Sequence, residues 1–399
     1  MSLVVSNKHI IFKLTTIDIL CTFQILHVVG SPKDEFNFTL NVFYASAFDP
    51  QRHDDFAHLW AVVRPTDQKW SFANVLSDVV DVKSKKLIPS DDVQWFDLAM
   101  ALSMISNVIR PTLIVPHMFC SQGTTVYKGL FEVLKIPFIG SSSEKATCAI
   151  NKAATKAILM EGGIPVPPGQ NLTKGSSLRF NLMPKMPCVV KPVDSENSLG
   201  VTLVNSLDEM NKALAIAYGF SNEVIVDKFI HGREIRCSVI EKTLSIGQIK
   251  KVVLIPQEYI VDKSKIRSTE DKLQRDQRGL PLGNLQMLCL YSNNVFLSFS
   301  NFSDKAPSTK TRFLSMTDEG GLIKRIQQVA LEAHTKLQFR DFSMFDMRLD
   351  QDGNPYILEA NLFCSFGLQS VLVSHAAQMG YDDKDLFKIM VNNVLHRSK

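Results

Sequence analysis

The stretch Phe345–Asn361, FDMRLDQDGNPYILEAN, constrains this chain more tightly than any other of similar length. Two apolar runs flank Asp352-Gly353, the dipeptide that best accommodates the positive φ angles of a two-residue type I′ turn, so an antiparallel hairpin is expected. In that register Gln351 faces Asn354, and Asp346 lies directly opposite Glu359, roughly 5 Å away at Cβ. Two carboxylates so placed repel by about 3 kcal/mol at an effective dielectric near 20. A divalent cation bound by oxygen ligands relieves that repulsion, with Asn361 on the same face as a third oxygen donor. A solvated face, or protonation of one acid, relieves it as well.

The rest of the chain must support or remove the cation. Its 399 residues suffice for two or three domains. Forty-four Lys and Arg against 40 Asp and Glu leave a net charge of +4, which gives no global argument for nucleic acid or a membrane surface. The 7 cysteines are scattered, odd in number and without a CxxC pair, as expected of reduced cytosolic thiols and not of a zinc site. Lys8, Lys13 and Asp18 interrupt the apolar N-terminus, so no run approaches the roughly 20 residues that span a bilayer. No small-residue cleavage site follows it. Residues 1–22 read as an irregular extension, and a cytoplasmic location is expected.

Between 23 and 140 the pattern alternates strands and helices. QILHVVG and PTLIVPHMF are continuous apolar runs, as in parallel strands covered on both faces. TTVYKGLFEVLK reads as an amphipathic helix and IPFIG as a short strand. An open, mostly parallel sheet is expected, with its loops at the strand C-terminal ends available to a ligand. A second, α+β unit spans 141–230: a helix over 141–163 opened by a Ser141/Glu144 capping box, then the strands PCVVKPV, GVTLVN and EVIVDKFI. A third, over 231–399, holds the strand EIRCSVIE, a long helix from about 318, the hairpin and a terminal helix. The segment 285–304 is strand-like where a polar loop is expected; an extra hairpin, a lid and a misread exon all fit it.

Several side chains suit a polyphosphate. Lys152 and Lys156 share a helix face. Lys191 ends the strand CVVK, where an unpaired ammonium is costly if buried, and a polar loop follows whose N–H groups can fold over phosphates. In EVIVDKFIHGRE, Asp227 suits an adenine amino group, and Glu234, behind a turn permitted by Gly232, suits ribose hydroxyls. Taken singly, the lysines fit a solvated or salt-bridged surface, and the acids fit weak surface ion pairs.

Taken in order, NKAATK, VVKPVDSENSLGV, VDKFIHGREIRC and FDMRLDQDGNPYILEAN resemble the ATP-grasp ligases of the D-alanine–D-alanine ligase type, over roughly residues 24–399. The resemblance implies an N-terminal parallel α/β domain followed by two α+β domains that clamp ATP. It implies Mg²⁺, with Mn²⁺ as an alternative, on Asp346, Glu359 and Asn361. Phosphate contacts fall on Lys152, Lys191 and Lys272, adenine contacts on Asp227, Lys228 and Ile230, and the ribose carboxylate on Glu234. Ser198 keeps the last place of the family's Gly-Ser-Ser phosphate loop, and Lys191, Ser198 and Lys272 are the expected catalytic set.

The departures are specific. Met344 stands where dipeptide-forming members carry the Arg that steadies the tetrahedral intermediate. Leu273 replaces the Tyr after the mobile-loop Lys, and Glu196-Asn197 replaces Gly-Ser. A narrower resemblance, to the mycosporine-glycine–amine ligases, covers LHVVGSPKDEF, PHMFCSQGTTVYKGLFEVL, GREIRC and LEANLFCSFGLQSV. It implies that ATP phosphorylates a cyclohexenone oxygen and that the amine of serine or threonine displaces phosphate, leaving an imine. Asp34 and His117 would bind the acceptor and Ser370 the amino acid's carboxylate. The partners expected are these small molecules, with no nucleic acid or membrane; family members commonly dimerise, so a homodimer is the expectation. Two other readings stand beside this one: a D-Ala–D-Ala or other dipeptide ligase, and a non-catalytic nucleotide-binding ATP-grasp module.

Overall fold

Three of the four sheets among the described residues carry the molecule. The computed structural model describes residues 23–267 and 310–398, apart from 90, 92, 196, 197, 246 and 369. Lys272, Leu273, Glu196, Asn197, the N-terminal extension 1–22 and the segment 285–304 therefore lie outside the described residues.

In the first sheet Gln24–Gly30 lies between Ala57–Val63 and Leu113–Pro116, parallel to both, and Trp70–Ala73 adds an antiparallel edge. The central runs are apolar on both faces because helices and loops cover both faces, as the uninterrupted sequence pattern predicts. Two local expectations are corrected. IPFIG forms a single bridge, Ile114 to Phe138, and not a strand. The helix expected over TTVYKGLFEVLK begins as a π-helical turn, Gly123–Tyr127, before the α-helix Lys128–Val133. Lys128, the first residue of that α-helix, is buried.

The second sheet orders Gly169–Thr173, Glu223–Lys228, Cys188–Pro192 and Thr202–Val204, all antiparallel, with the helix Leu207–Tyr218 on one face. The third is also antiparallel: Lys310–Phe313, Gln257–Ile260, Glu234–Thr243, Phe342–Leu349 and Pro355–Asn361, with Ile249–Val253 pairing the far end of Glu234–Thr243. Helices Met316–Lys336 and Asp383–Arg397 cover it.

The helix expected over 141–163 is two helices, Ser143–Ile150 and Lys152–Glu161, broken at Asn151. Ser142, not Ser141, caps the first, and the Asn151 side chain caps the second by accepting from the Ala154 amide at 2.8 Å. The pair buries Ala146, Ala149 and Leu159 in the core of the third sheet. Lys152 thereby opens a helix instead of sitting inside one, at the seam between the second and third sheets.

Candidate functional site

An open cleft separates the second sheet from the third. Lys191 and Asp227 share a face of the second sheet, since Lys191 pairs with Ile225, two residues before Asp227. The Lys191 ammonium lies 3.0 Å from one oxygen of Asp227, and the buried Lys156 ammonium donates to the other. Burial pushes Lys156 below the usual lysine range, while Asp227 acts in the opposite direction. The neighbouring strand can approach because position 169 is glycine: a Cβ there would stand 2.1 Å from the Val226 carbonyl and 2.6 Å from the Asp227 carboxylate. Lys228 is exposed, Ile230 buried, and both line the cleft, as does Ser198. The Ser198 hydroxyl donates to the Arg267 carbonyl at 2.9 Å, tying the loop after Lys191 to the segment before residue 268.

Glu234 faces the same cleft, 3.4 Å from the Arg267 guanidinium and 3.7 Å from that of Arg348. The chain reaches it through Gly232, whose φ is +150° and whose added Cβ would meet the Leu349 carbonyl at 1.9 Å, so the expected glycine turn is required here. Arg267 stacks on Tyr259, 3.8 Å from the ring centre.

On the third sheet Asp346 pairs with Glu359, and Met344 with Asn361. The turn that leads there is not type I′. Asp350 and Asn354 close a three-residue loop, with Gly353 at φ +76° and the Asp350 carboxylate accepting from the Asp352 and Asn354 amides. That closing pair alone sets Met347 against Ile357, and a register shift beyond it restores Asp346 to Glu359. Glu359 is 3.9 Å from the Lys152 ammonium, and Lys152 also donates to the Ser195 carbonyl. The Asn361 amide lies 3.5 Å from Asp346. Two carboxylates and an amide oxygen on one face form the hard-oxygen donor set that suits Mg²⁺. No cluster of three or more His, Cys, Asp or Glu capable of holding a metal occurs among the described residues.

The sequence reading passed over the arginines. Arg236 lies opposite Asp346 on the adjacent strand and grips it through both carboxylate oxygens, at 2.5 and 2.7 Å. Burial opposes its charge, but Asp346, Tyr259 and Glu359 together outweigh burial and hold the guanidinium above its ordinary range. Its one sequence signal is alternation, which puts it on the face of Glu234 two residues earlier. Met344 is 3 % exposed and belongs to an apolar cluster with Ile240 and Phe342.

The three expected substrate residues lie outside this cleft. Asp34 caps the helix Glu35–Ala45, accepting from the Asn37 amide at 2.7 Å. His117 has no exposed surface; it is bonded to His27 at 2.8 Å, which is bonded in turn to His58 at 2.8 Å. Burial pushes His117 down to about 3, so it is neutral. Ser370 is also buried, its hydroxyl 3.2 Å from the Cys364 thiol.

Residues 158–275 and 293–392 match the family model described as D-ala D-ala ligase C-terminus. The D-alanine–D-alanine ligase of Clostridium beijerinckii is 24% identical over 283 residues, 70% of this chain and 79% of that protein. Among solved structures, the VanG D-Ala:D-Ser ligase from Enterococcus faecalis superposes with a TM-score of 0.69 at 17% identity, covering 93% of this chain and 99% of that one. The D-alanine–D-alanine ligase from Coxiella burnetii gives 0.66 at 16% identity, over 94% and 96%.

Proposed function

The chain belongs to the ATP-grasp family of D-Ala–D-Ala ligases and is an ATP-dependent carbon–nitrogen ligase, and from that premise we propose that it joins the amine of serine or threonine to phosphate-activated mycosporine-glycine. The observation that carries the choice of acceptor is Met344. An apolar, buried side chain stands opposite Asn361, at the position where the resemblance puts the cation that steadies a peptide-forming intermediate.

The roles follow from the cleft. ATP lies between the second and third sheets, with its ribose toward Glu234 and its phosphates toward Lys152, Lys191 and Ser198. Lys228 and Ile230 border the adenine, and Lys272, outside the described residues, would be the third lysine at the phosphates. Asp227 holds Lys191 in the cleft through its own ion pair. Asp346, Glu359 and Asn361 would hold Mg²⁺, which supplies charge neutralisation at the phosphates when bound. Phosphoryl transfer asks mainly for positioning and charge neutralisation, and these ammonium groups supply both. The γ-phosphoryl group passes to the acceptor oxygen with release of ADP. The amine then forms the C–N bond as phosphate departs with that oxygen, and closing the loop around Ser198 limits water's access to the phosphorylated intermediate.

A second reading, a D-Ala–D-Ala or other dipeptide ligase, is favoured by one observation: Arg236 places a guanidinium beside Asp346, one strand away from the position Met344 occupies. ADP release separates the two. Release that requires mycosporine-glycine with serine or threonine supports the first reading. Release with D-alanine alone overturns it in favour of the second, and no substrate-stimulated release under either condition overturns both.

A further inference from the structure

Among the described residues, five cationic side chains line the cleft between the second and third sheets. Lys152 reaches Glu359 and the Ser195 carbonyl, Lys191 reaches Asp227, and Lys228 is exposed. Arg348 donates to the carbonyls of Gly232, Lys263 and Lys265. Arg267 is the exception. It is 7 % exposed, and its Nε is buried without a hydrogen-bond partner. Its one ion pair among the described residues is with Glu234, which approaches that nitrogen to 3.4 Å.

The third sheet fixes where this guanidinium stands. Positions two apart on a strand share a face, so two neighbouring rows of side chains lie on one side of the sheet. Tyr259, Glu234 and Arg348 pair across the first row, and Arg236, Asp346 and Glu359 across the second. Arg267 lies over the Tyr259 ring, 3.8 Å from its centre, and is attracted by an acid in each row, Glu234 and Asp346. Burial and the nearby Arg236 oppose its charge, but Glu234, Tyr259 and Asp346 outweigh them and hold the guanidinium above its ordinary range. Ser198, in a left-handed backbone conformation at φ +61°, donates to the Arg267 carbonyl at 2.9 Å. The polar loop after Lys191 is thus fastened to this same residue.

A buried guanidinium with an unmet donor is costly unless an anion completes it. Position identifies that anion. In the proposed ATP site Glu234 marks the ribose end and Asp346 the metal end, and a cation between them meets the phosphates that join the two. The planar N–H fork of arginine matches phosphate oxygens better than an ammonium does. We propose that Arg267 binds the polyphosphate of the nucleotide, leaving Glu234 for a phosphate oxygen as ATP enters. The exchange releases the Glu234 carboxylate to the ribose hydroxyls, and it makes Arg267 the residue by which the cleft prefers a phosphorylated nucleoside to a bare one. The assignment rests on the ATP reading above and is independent of which acceptor the enzyme uses.

The test uses Arg267→Met in the full chain, titrated calorimetrically with ATP, inorganic tripolyphosphate and adenosine in the presence of Mg²⁺. The substitution should weaken ATP and tripolyphosphate by about tenfold or more, the scale of a charge-assisted hydrogen bond. Adenosine should bind as tightly as before or more tightly, because Glu234 has lost a competing partner. Arg267→Lys, which keeps the charge without the fork, should recover part of the loss; it also gives the same pattern at smaller amplitude if Arg267→Met fails to fold. Unchanged affinity for both ATP and tripolyphosphate overturns the proposal. So does an equal loss for adenosine and ATP, the result expected of an arginine that merely holds Glu234 in place. Wild-type protein that binds neither ATP nor tripolyphosphate overturns this proposal and the ATP reading together. The selective loss, found in a protein that releases no ADP with any acceptor, keeps the proposal and removes the ligase reading alone.

Discussion

Arg236 and Asp346 face each other across adjacent strands and form a two-pronged ion pair at 2.5 and 2.7 Å, both largely buried. The carboxylate assigned to the metal thus has a counter-charge of its own from the chain. Removing one partner of such a pair costs about 3–5 kcal/mol. Arg236→Met should therefore lower the unfolding free energy by up to that amount without nucleotide, and Mg²⁺ with ADP should restore more stability to the variant than it adds to wild type. Urea denaturation with and without Mg²⁺-ADP measures both; equal ligand stabilisation of the two proteins would remove the link between Arg236 and the metal site.

Glu359 sits beside Lys152 and opposite Asp346. Glu359→Gln keeps the shape and removes a charge that the proposed metal ligation requires. Turnover should fall by roughly 10²-fold or more, the scale on which preorganised charge acts in transition states. ATP affinity, read by calorimetry, should change little. Undiminished turnover would be incompatible with the metal assignment.

Gly232 has no room for a side chain, with the Leu349 carbonyl 1.9 Å from an added Cβ. Gly232→Ala should destabilise the fold by at least about 1–3 kcal/mol, the cost of a backbone forced into a disfavoured region. It should also raise the KM for ATP by displacing Glu234. A melting temperature and KM both equal to wild type would show that the turn is not needed.

The buried histidines give a pH dependence. Burial holds His117 at about 3 and His53 at about 4, and holds His27 well below 6.5. Unfolded histidines titrate near 6.5, so below that pH the unfolded chain binds protons that the native state refuses. Stability is complete above pH 6.5 and is lost progressively as pH falls toward 3–4; at pH 5 each fully buried neutral imidazole contributes about 2 kcal/mol of that loss. Unfolding free energies at pH 7.5 and 5 test this, and equal values would contradict it.

Much of the fold was legible because its strands announce themselves. The continuous apolar runs of the first sheet and the order of helix lysine, strand lysine and hairpin acids survive any small error of boundary. The pairing of Asp346 with Glu359 was also legible, although the turn behind it was not: the Asp350 side chain closes a three-residue loop that Asp352-Gly353 alone does not reveal. What could not be read were charges paired across strands far apart in sequence. Arg236 meets Asp346 across 110 residues, and Glu234 meets Arg348 through the same strand pair. Likewise the break at Asn151 depends on one side chain choosing the Ala154 amide over a solvated position.

The register shift in the hairpin has one further consequence. In an unbroken strand Leu358 and Glu359 would point to opposite sides; here both line the cleft between the second and third sheets. One supernumerary residue thus lets two chain neighbours share a single cavity, where on the proposed ATP reading one would offer an oily surface to a flat ring and the other an acid to a cation. Deleting Leu358 would restore a regular ladder and keep the acidic pair, yet it would take away half of that wall.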